Sequence, residues 1–133
     1  MILFDTDAIS ELMRKRPSPR LVRRLGDVPV REQATSAITI GELCYGAFRA
    51  NRPDLFETAL RLLAGVRVLD FDAQAARAYG PLRSLLEKNG TRLDEPDLRI
   101  ASIAIAHKAH LVTGNLRHFS RIPNLVAEDW IRS

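Results

Sequence analysis

Asp5, Glu42, Asp97 and Asn115 carry the residue types of a site for a hard cation. Each alone has a plainer role. Asp5 and Asp97 suit helix N-caps, and Asn115, after a glycine, suits a turn. Glu42 is harder to dismiss. It sits between Ile40 and Leu43, near Cys44 and Gly46, and is expected to be partly buried; a buried carboxylate needs a partner. Two carboxylates at about 4 Å repel by roughly 4 kcal/mol at an effective dielectric near 20. Three acids held together therefore require a cation or a bound proton. None of the lysines, Lys15, Lys88 and Lys108, is positioned by sequence to neutralise them. An all-oxygen pocket suits Mg²⁺, with Mn²⁺ as a substitute. Such an ion polarises a phosphate, lowers the pKa of a bound water and stabilises the leaving oxygen. The chemistry expected is hydrolysis of a phosphodiester.

Clustering requires elements that bring these positions to one edge. Met1–Asp5 reads as a strand, followed by a helix from about Ala8 to Lys15 that Thr6-Asp7 can cap and Pro17-Ser18-Pro19 ends. Thr35–Thr39 reads as a second strand and Gly41–Arg49 as a helix, with Glu42 in its first turn. Asp54–Glu57 fits a capping box for a helix to about Ala64. Val66–Phe71 reads as a strand. Asp72 then caps a helix that Gly80-Pro81 kinks or breaks and Asn89-Gly90 terminates. Asp94-Glu95-Pro96-Asp97 opens a helix to about Lys108 that is apolar nearly all round, hence buried. Leu111–Thr113 reads as a strand, Gly114-Asn115 as a turn and Asn124–Ala127 as a last extended piece. The alternation implies an α/β fold with a central, mainly parallel sheet flanked by helices on both faces. In such sheets, sites lie beyond the carboxyl ends of strands. Asp5, Glu42, Asp97 and Asn115 all map to that edge.

Composition narrows the classes. The 133 residues are 46% hydrophobic and 27% charged, which excludes disordered and low-complexity chains. No linker or repeat divides them, so 1–133 reads as one domain with a core of its own. The single cysteine, Cys44, excludes an internal disulfide and reads as an inert core thiol. No apolar run is long enough to span a bilayer, and the start, MILFDTD, turns acidic too soon for a signal peptide. The expected setting is the cytoplasm, with no membrane partner. The net charge is +4, and 17 of the 20 basic residues are arginine, whose forks suit phosphate oxygens. The most basic stretch, 14–31, sets Arg14, Lys15, Arg16, Arg20, Arg23, Arg24 and Arg31 against Asp27 alone. It reads as a solvated face or as an RNA-facing rim.

Taken in order, several segments carry a resemblance. They are Leu3–Asp7, Ile38–Leu43 with Tyr45-Gly46-Ala47, Val68–Asp72, Asp97–Ala101 and Leu111–Phe119, followed by Arg121–Leu125 and Glu128–Trp130. Their joint order and spacing resemble PIN-domain ribonucleases, specifically the VapC-type toxins of type II toxin–antitoxin pairs. The resemblance covers essentially the whole chain and implies a PIN-like fold. It implies an Mg²⁺-dependent endoribonuclease acting on transfer, ribosomal or messenger RNA. It also implies a homodimer and a cognate VapB-type antitoxin that occupies the active-site groove and assembles with it further. The family's metal-binding and catalytic acids map to Asp5, Glu42 and Asp97. Its fourth acidic position maps to Asn115, here an amide. Asp7 stands where the family usually has asparagine, and Gly114 replaces a commoner polar residue. Thr6, Ser10 and Thr113 are candidates to orient ligands or waters. Arg99 and Arg117, beside Asp97 and Asn115, are candidates to contact RNA or the antitoxin.

Other readings fare worse. His107, His110 and His118 form no zinc pattern and read as structural or surface residues. Trp130 reads as a packing anchor. A phosphorylatable receiver domain would use Asp70 or Asp72 with Thr113 as a switch, but needs a lysine ending the last strand, and none is there. A catalytically weak PIN scaffold that binds RNA or an antitoxin without cleaving is the closer rival, kept open by Asn115. A PIN-type DNA nuclease would use the same acids, since nothing here reads a 2′-hydroxyl.

Overall fold

Apolar residues alternate along two short strands, and the alternation sets both faces of the sheet. Leu3 and Leu111 point to one side, Phe4 and Val112 to the other, and all four are buried. A strand covered on both faces belongs inside a parallel sheet. A computed structural model describes residues 1–132 in this arrangement. The strands are β1 (Ile2–Phe4), β2 (Gln33–Ser36), β3 (Arg67–Leu69), β4 (His110–Val112) and β5 (Val126–Glu128), in the order β3-β2-β1-β4-β5, all parallel. Ile2 pairs with Gln33 on one flank and with His110 on the other. The chain therefore leaves β1 toward one edge and later returns beside it, which makes the carboxyl end of β1 the switch point of the topology.

Among the described residues, seven α-helices cover the faces: α1 (Thr6–Leu12), α2 (Pro19–Gly26), α3 (Ala37–Arg49), α4 (Pro53–Leu62), α5 (Ala73–Lys88), α6 (Glu95–His107) and α7 (Leu116–Phe119). One core layer joins Leu3, Ala34 and Leu111 to Leu82 and Leu86 of α5 and to Leu98, Ala101 and Ile103 of α6. The other joins Phe4 and Val112 to Ile9 of α1, Leu21 of α2, Leu43 of α3, Ala59 of α4 and Trp130. As expected, α6 is buried on most sides; Ile100, Ala101, Ser102, Ile103 and Ala104 are all inaccessible.

Several boundaries differ from the sequence expectation. The helix after β1 starts at Thr6 and ends at Leu12, because Asp5 is its N-cap: extended, with Oδ1 accepting from the Ala8 amide at 3.0 Å. Pro17-Ser18-Pro19 ends that helix and also opens α2, with Ser18 as cap and Pro19 at the first helical position. The second strand stops at Ser36, whose hydroxyl caps α3 by accepting from the Thr39 amide at 3.0 Å. The β-branched run Ile38-Thr39-Ile40 is thus the start of a helix, and Glu42 lies in its second turn, not its first. The capping box at Asp54–Glu57 does not form; α4 starts at Pro53, and Asp54 instead pairs with Arg52 at 2.9 Å. Helix α5 runs unbroken through Pro81. A short α7 follows the turn at Gly114-Asn115.

The C-terminal segment is clipped across one face. The Ser18 hydroxyl and Arg20 guanidinium donate to the carbonyls of Ile131 and Arg132. Arg24 lies 4.5 Å over the Trp130 ring, which meets Phe4 edge-on at 5.8 Å. Part of the basic stretch 14–31 thus fastens the chain's end and does not form a free rim.

Candidate active site

Three separate elements deliver the expected acids to one place. Asp5 follows β1 at the switch point, with 4% of its surface exposed. Glu42, half-buried, comes from α3, which the Ser36 cap places beside β1. Asp97, also half-buried, lies in the first turn of α6, where Asp94 is the cap residue without a side-chain hydrogen bond. These three line a cleft of about 520 Å³ together with Thr6, Asp7, Asp94, Glu95, Pro96 and Asn115. Six of the nine lining residues are carboxylates and none is lysine or arginine.

A web of small polar groups sets the acids. The Thr6 hydroxyl donates to Glu42 Oε1 and reaches Thr39 Oγ1 at 3.3 Å; the Ser36 hydroxyl reaches the same threonine at 3.2 Å. Thr113 is wholly buried, and its oxygen accepts from the Asn115 amide at 2.9 Å. Asn115 Nδ2 donates to Asp7 Oδ2 at 2.7 Å. Ser10 is not in the cleft but in a neighbouring groove between α1 and α3.

The electrostatics are those of an anionic site short of positive charge. Burial pushes the Asp5 carboxyl up to about 7; hydrogen bonds from Thr113 and Ala8 pull it down, and the charges of Asp7 and Asp97 raise it further. Burial, then the charges of Glu42, Asp94 and Asp7, push Asp97 up to about 6, against a small opposing effect of His118. Glu95 goes the other way: hydrogen bonds from the Tyr79 hydroxyl and Arg99 hold its carboxyl below the ordinary range.

The donor set fits a hard divalent cation, because it is all oxygen and its mutual repulsion is what such an ion relieves. Among the described residues, no three His, Cys, Asp or Glu side chains converge on one point as they stand. Glu42, Asp5 and Asp7 each give one oxygen to a protein donor, Thr6, Ala8 and Asn115 respectively.

The arginines divide. Arg99 is committed, with Nε 3.1 Å from Glu95 Oε1 and its guanidinium over the Phe71 ring. Arg117 is exposed on α7 beside a groove that also takes in Asn115, His118 and Arg132. Sequence reasoning misses several residues here. His118 is near enough for its charge to act on Asp97, and it is hidden in the sequence because α7 is too short to show a helical period. Asp94 and Glu95 read only as a helix start, although three acids around Pro96 signal a concentration of charge. Thr39 escapes notice because its β-branched segment reads as a strand.

Comparisons with known proteins show the family and the fold. The PIN domain profile matches residues 2–125. A protein named ribonuclease VapC2 from Rickettsia felis is 41% identical over 98 residues, 73% of each chain. The tRNA(fMet)-specific endonuclease VapC of Salmonella typhimurium is 32% identical over 131 residues, 98% of this chain and 99% of its own. The crystal structure of VapBC2 from Rickettsia felis, bound to a DNA fragment from its promoter, superposes with a TM-score of 0.88 at 34% identity, covering 98% of this chain and 99% of that one.

Proposed function

The chain belongs to the PIN-domain family and is of the VapC type, and we propose that it is the toxin of a toxin–antitoxin pair, an endoribonuclease that hydrolyses RNA phosphodiester bonds in its acidic cleft. PIN-domain ribonucleases are metal-dependent in general, and we assign Mg²⁺ here, with Mn²⁺ able to substitute. The observation that carries the reading is the convergence of Asp5, Glu42 and Asp97 from three elements into one cleft with no basic lining residue.

Asp5, Glu42 and Asp97 are the residues assigned to hold the ion. When bound, the ion supplies charge neutralisation at the phosphate and a lowered pKa for water. The chain's own residues do the rest. Thr6 fixes one Glu42 oxygen and leaves the other for the cleft. Hydrogen bonds from Ala8 and Thr113 favour the ionised form of Asp5 against its burial. Asp7 and Asn115 close one side of the site, and Arg117 stands outside it as a contact for a substrate phosphate or an antitoxin carboxylate. Arg99, held by Glu95, serves mainly to shape the α6 rim.

We read residues 1–133 as one domain that works in the cytoplasm as a homodimer and binds a cognate VapB-type antitoxin. The VapBC complex it resembles supports the partner, and no helix is long and apolar enough to cross a membrane among the described residues. The RNA it cuts is transfer, ribosomal or messenger RNA; the named tRNA(fMet) specificity of the Salmonella relative makes transfer RNA the first to test.

The test is brief induction of the chain alone in bacteria, beside Asp5→Asn, with cellular RNA ends mapped. Growth arrest with new, discrete ends only for the unsubstituted chain is expected. Arrest by both forms would replace cleavage with a binding mechanism.

A further inference from the structure

We propose that Asp7, Gly114 and Asn115 form one interlocked unit that holds a further carboxylate, Asp7, at the mouth of the acidic cleft, with Asn115 as its positioning residue. This inference rests on the nuclease reading for the use of the site, while the interlock stands on geometry. Asp7 and Asn115 are 108 positions apart in sequence, yet Asn115 Nδ2 donates to Asp7 Oδ2 at 2.7 Å, and both line the cleft with Asp5, Glu42 and Asp97.

The glycine between β4 and Asn115 has a steric explanation. Its backbone is not among the positive-φ glycines, Gly65 and Gly90, so conformation does not require glycine there. Space does. A Cβ at position 114 would lie 3.0 Å from Asp7 Cβ, 3.3 Å from Asp7 Oδ2 and 3.2 Å from Ile131 Cδ1. A side chain at 114 would sit tighter against Asp7 than ordinary contact, so Asp7 or its neighbours must give by a few tenths of an ångström. The peptide is also tethered, because Arg132 Nη1 donates to the Gly114 carbonyl at 2.9 Å.

The chemistry of the pair explains the amide at 115. An amide donates a hydrogen bond to a carboxylate; an ionised carboxylate in its place has no proton to donate and sets a like charge against Asp7. The acid at residue 7 and the amide at residue 115 are therefore one choice, and exchanging the two keeps both the hydrogen bond and the charge of the site.

The experiment compares the unsubstituted chain, Asp7→Asn, Asn115→Asp, the exchange Asp7→Asn with Asn115→Asp, Gly114→Ala, and Gly114→Ala with Asp7→Asn. Each is titrated with MnCl₂ by calorimetry without RNA, and then assayed for RNA cleavage. Asp7→Asn is expected to weaken Mn²⁺ binding by about 10- to 100-fold, the range seen when groups supporting metal ligands are removed. The exchange is expected to recover most of that loss. Gly114→Ala is expected to weaken binding alone but to add little on top of Asp7→Asn, since both act through one group. Mn²⁺ affinity unchanged by Asp7→Asn, an exchange no better than Asp7→Asn, additive losses at 7 and 114, or no Mn²⁺ binding by the unsubstituted chain would each overturn the unit. If Mn²⁺ binding follows the expected pattern but no RNA is cut, the unit stands and the nuclease reading falls. If RNA is cut and Asp7→Asn changes nothing, only the unit falls.

Discussion

Asp5 has two jobs that usually belong to different residues. It caps α1 through Oδ1, and it is the most deeply buried acid of the cleft. Asparagine is as good a cap as aspartate, so Asp5→Asn separates the two. It is expected to keep the fold by circular dichroism while losing cleavage by about 100-fold or more, and Asp97→Asn should do the same. Wild-type cleavage by either variant would remove these acids from the site. The raised carboxyl of Asp5 also makes stability depend on pH. Its folded value, about 7, lies above its ordinary 3.8, so the folded state holds the proton more tightly. The stability contributed is fully present below about pH 4 and is lost as pH rises through about 7, by about 4 kcal/mol at most. Denaturant melts in chelator should show this decline, Asp5→Asn should flatten it, and Mg²⁺ at pH 8 should restore stability. Asp97, raised to about 6 and half-exposed, adds to the same trend.

At the scale of elements, the cleft depends on how helices start. Ser36 ends β2, caps α3 and touches Thr39, which in turn meets Thr6, the donor to Glu42. Ser36→Ala is expected to cost about 1 kcal/mol of stability by denaturant unfolding, the usual loss for a cap. It should also lower cleavage, because the polar chain that sets Glu42 loses its anchor. Full activity in a destabilised Ser36→Ala would show that Glu42 does not need that chain. Helix α6 works differently. Its cap and first turn carry Asp94, Glu95 and Asp97 to the cleft, while the rest is locked between sheet and α5. The rigid, buried body of that helix is what keeps its charged end in place.

Across the whole molecule, charge is sorted rather than balanced. The chain is net +4, yet the cleft is lined by six acids and no arginine or lysine. An RNA phosphate meets repulsion in the cleft and attraction outside it, so a cation is needed at the centre and basic side chains at the edge. Some of the basic side chains are already engaged within the fold. Arg20 and Arg24 fasten the C-terminal segment, and Arg14 pairs with Glu11 at 3.2 Å. RNA binding, followed by fluorescence anisotropy with the Asp5→Asn protein, is expected to weaken steeply between about 50 and 200 mM salt, since neutralised phosphates release counterions. A flat salt dependence would mean that the exposed arginines, Arg117 among them, do not face RNA.

Much of this was legible in the residues alone. Short apolar runs alternating with helical periods implied the parallel α/β sheet, because a strand buried on both faces must be apolar throughout, as Leu3-Phe4 and Leu111-Val112 are. Asp5 and Asp97 stood out because each falls where a strand or loop gives way to a helix, and Glu42 because it is a carboxylate set among apolar neighbours. Other features came from contacts between distant segments. Ile38-Thr39-Ile40 has strand propensity, but the Ser36 cap and burial against the sheet make it helical. Pro81 stays inside α5 because packing on α6 outweighs one lost hydrogen bond. Asn115 meets Asp7 only after β4 has been laid beside β1. Periodicity along the chain encodes which face a residue shows; it does not encode which residue stands opposite, because that depends on the strand order that packing selects.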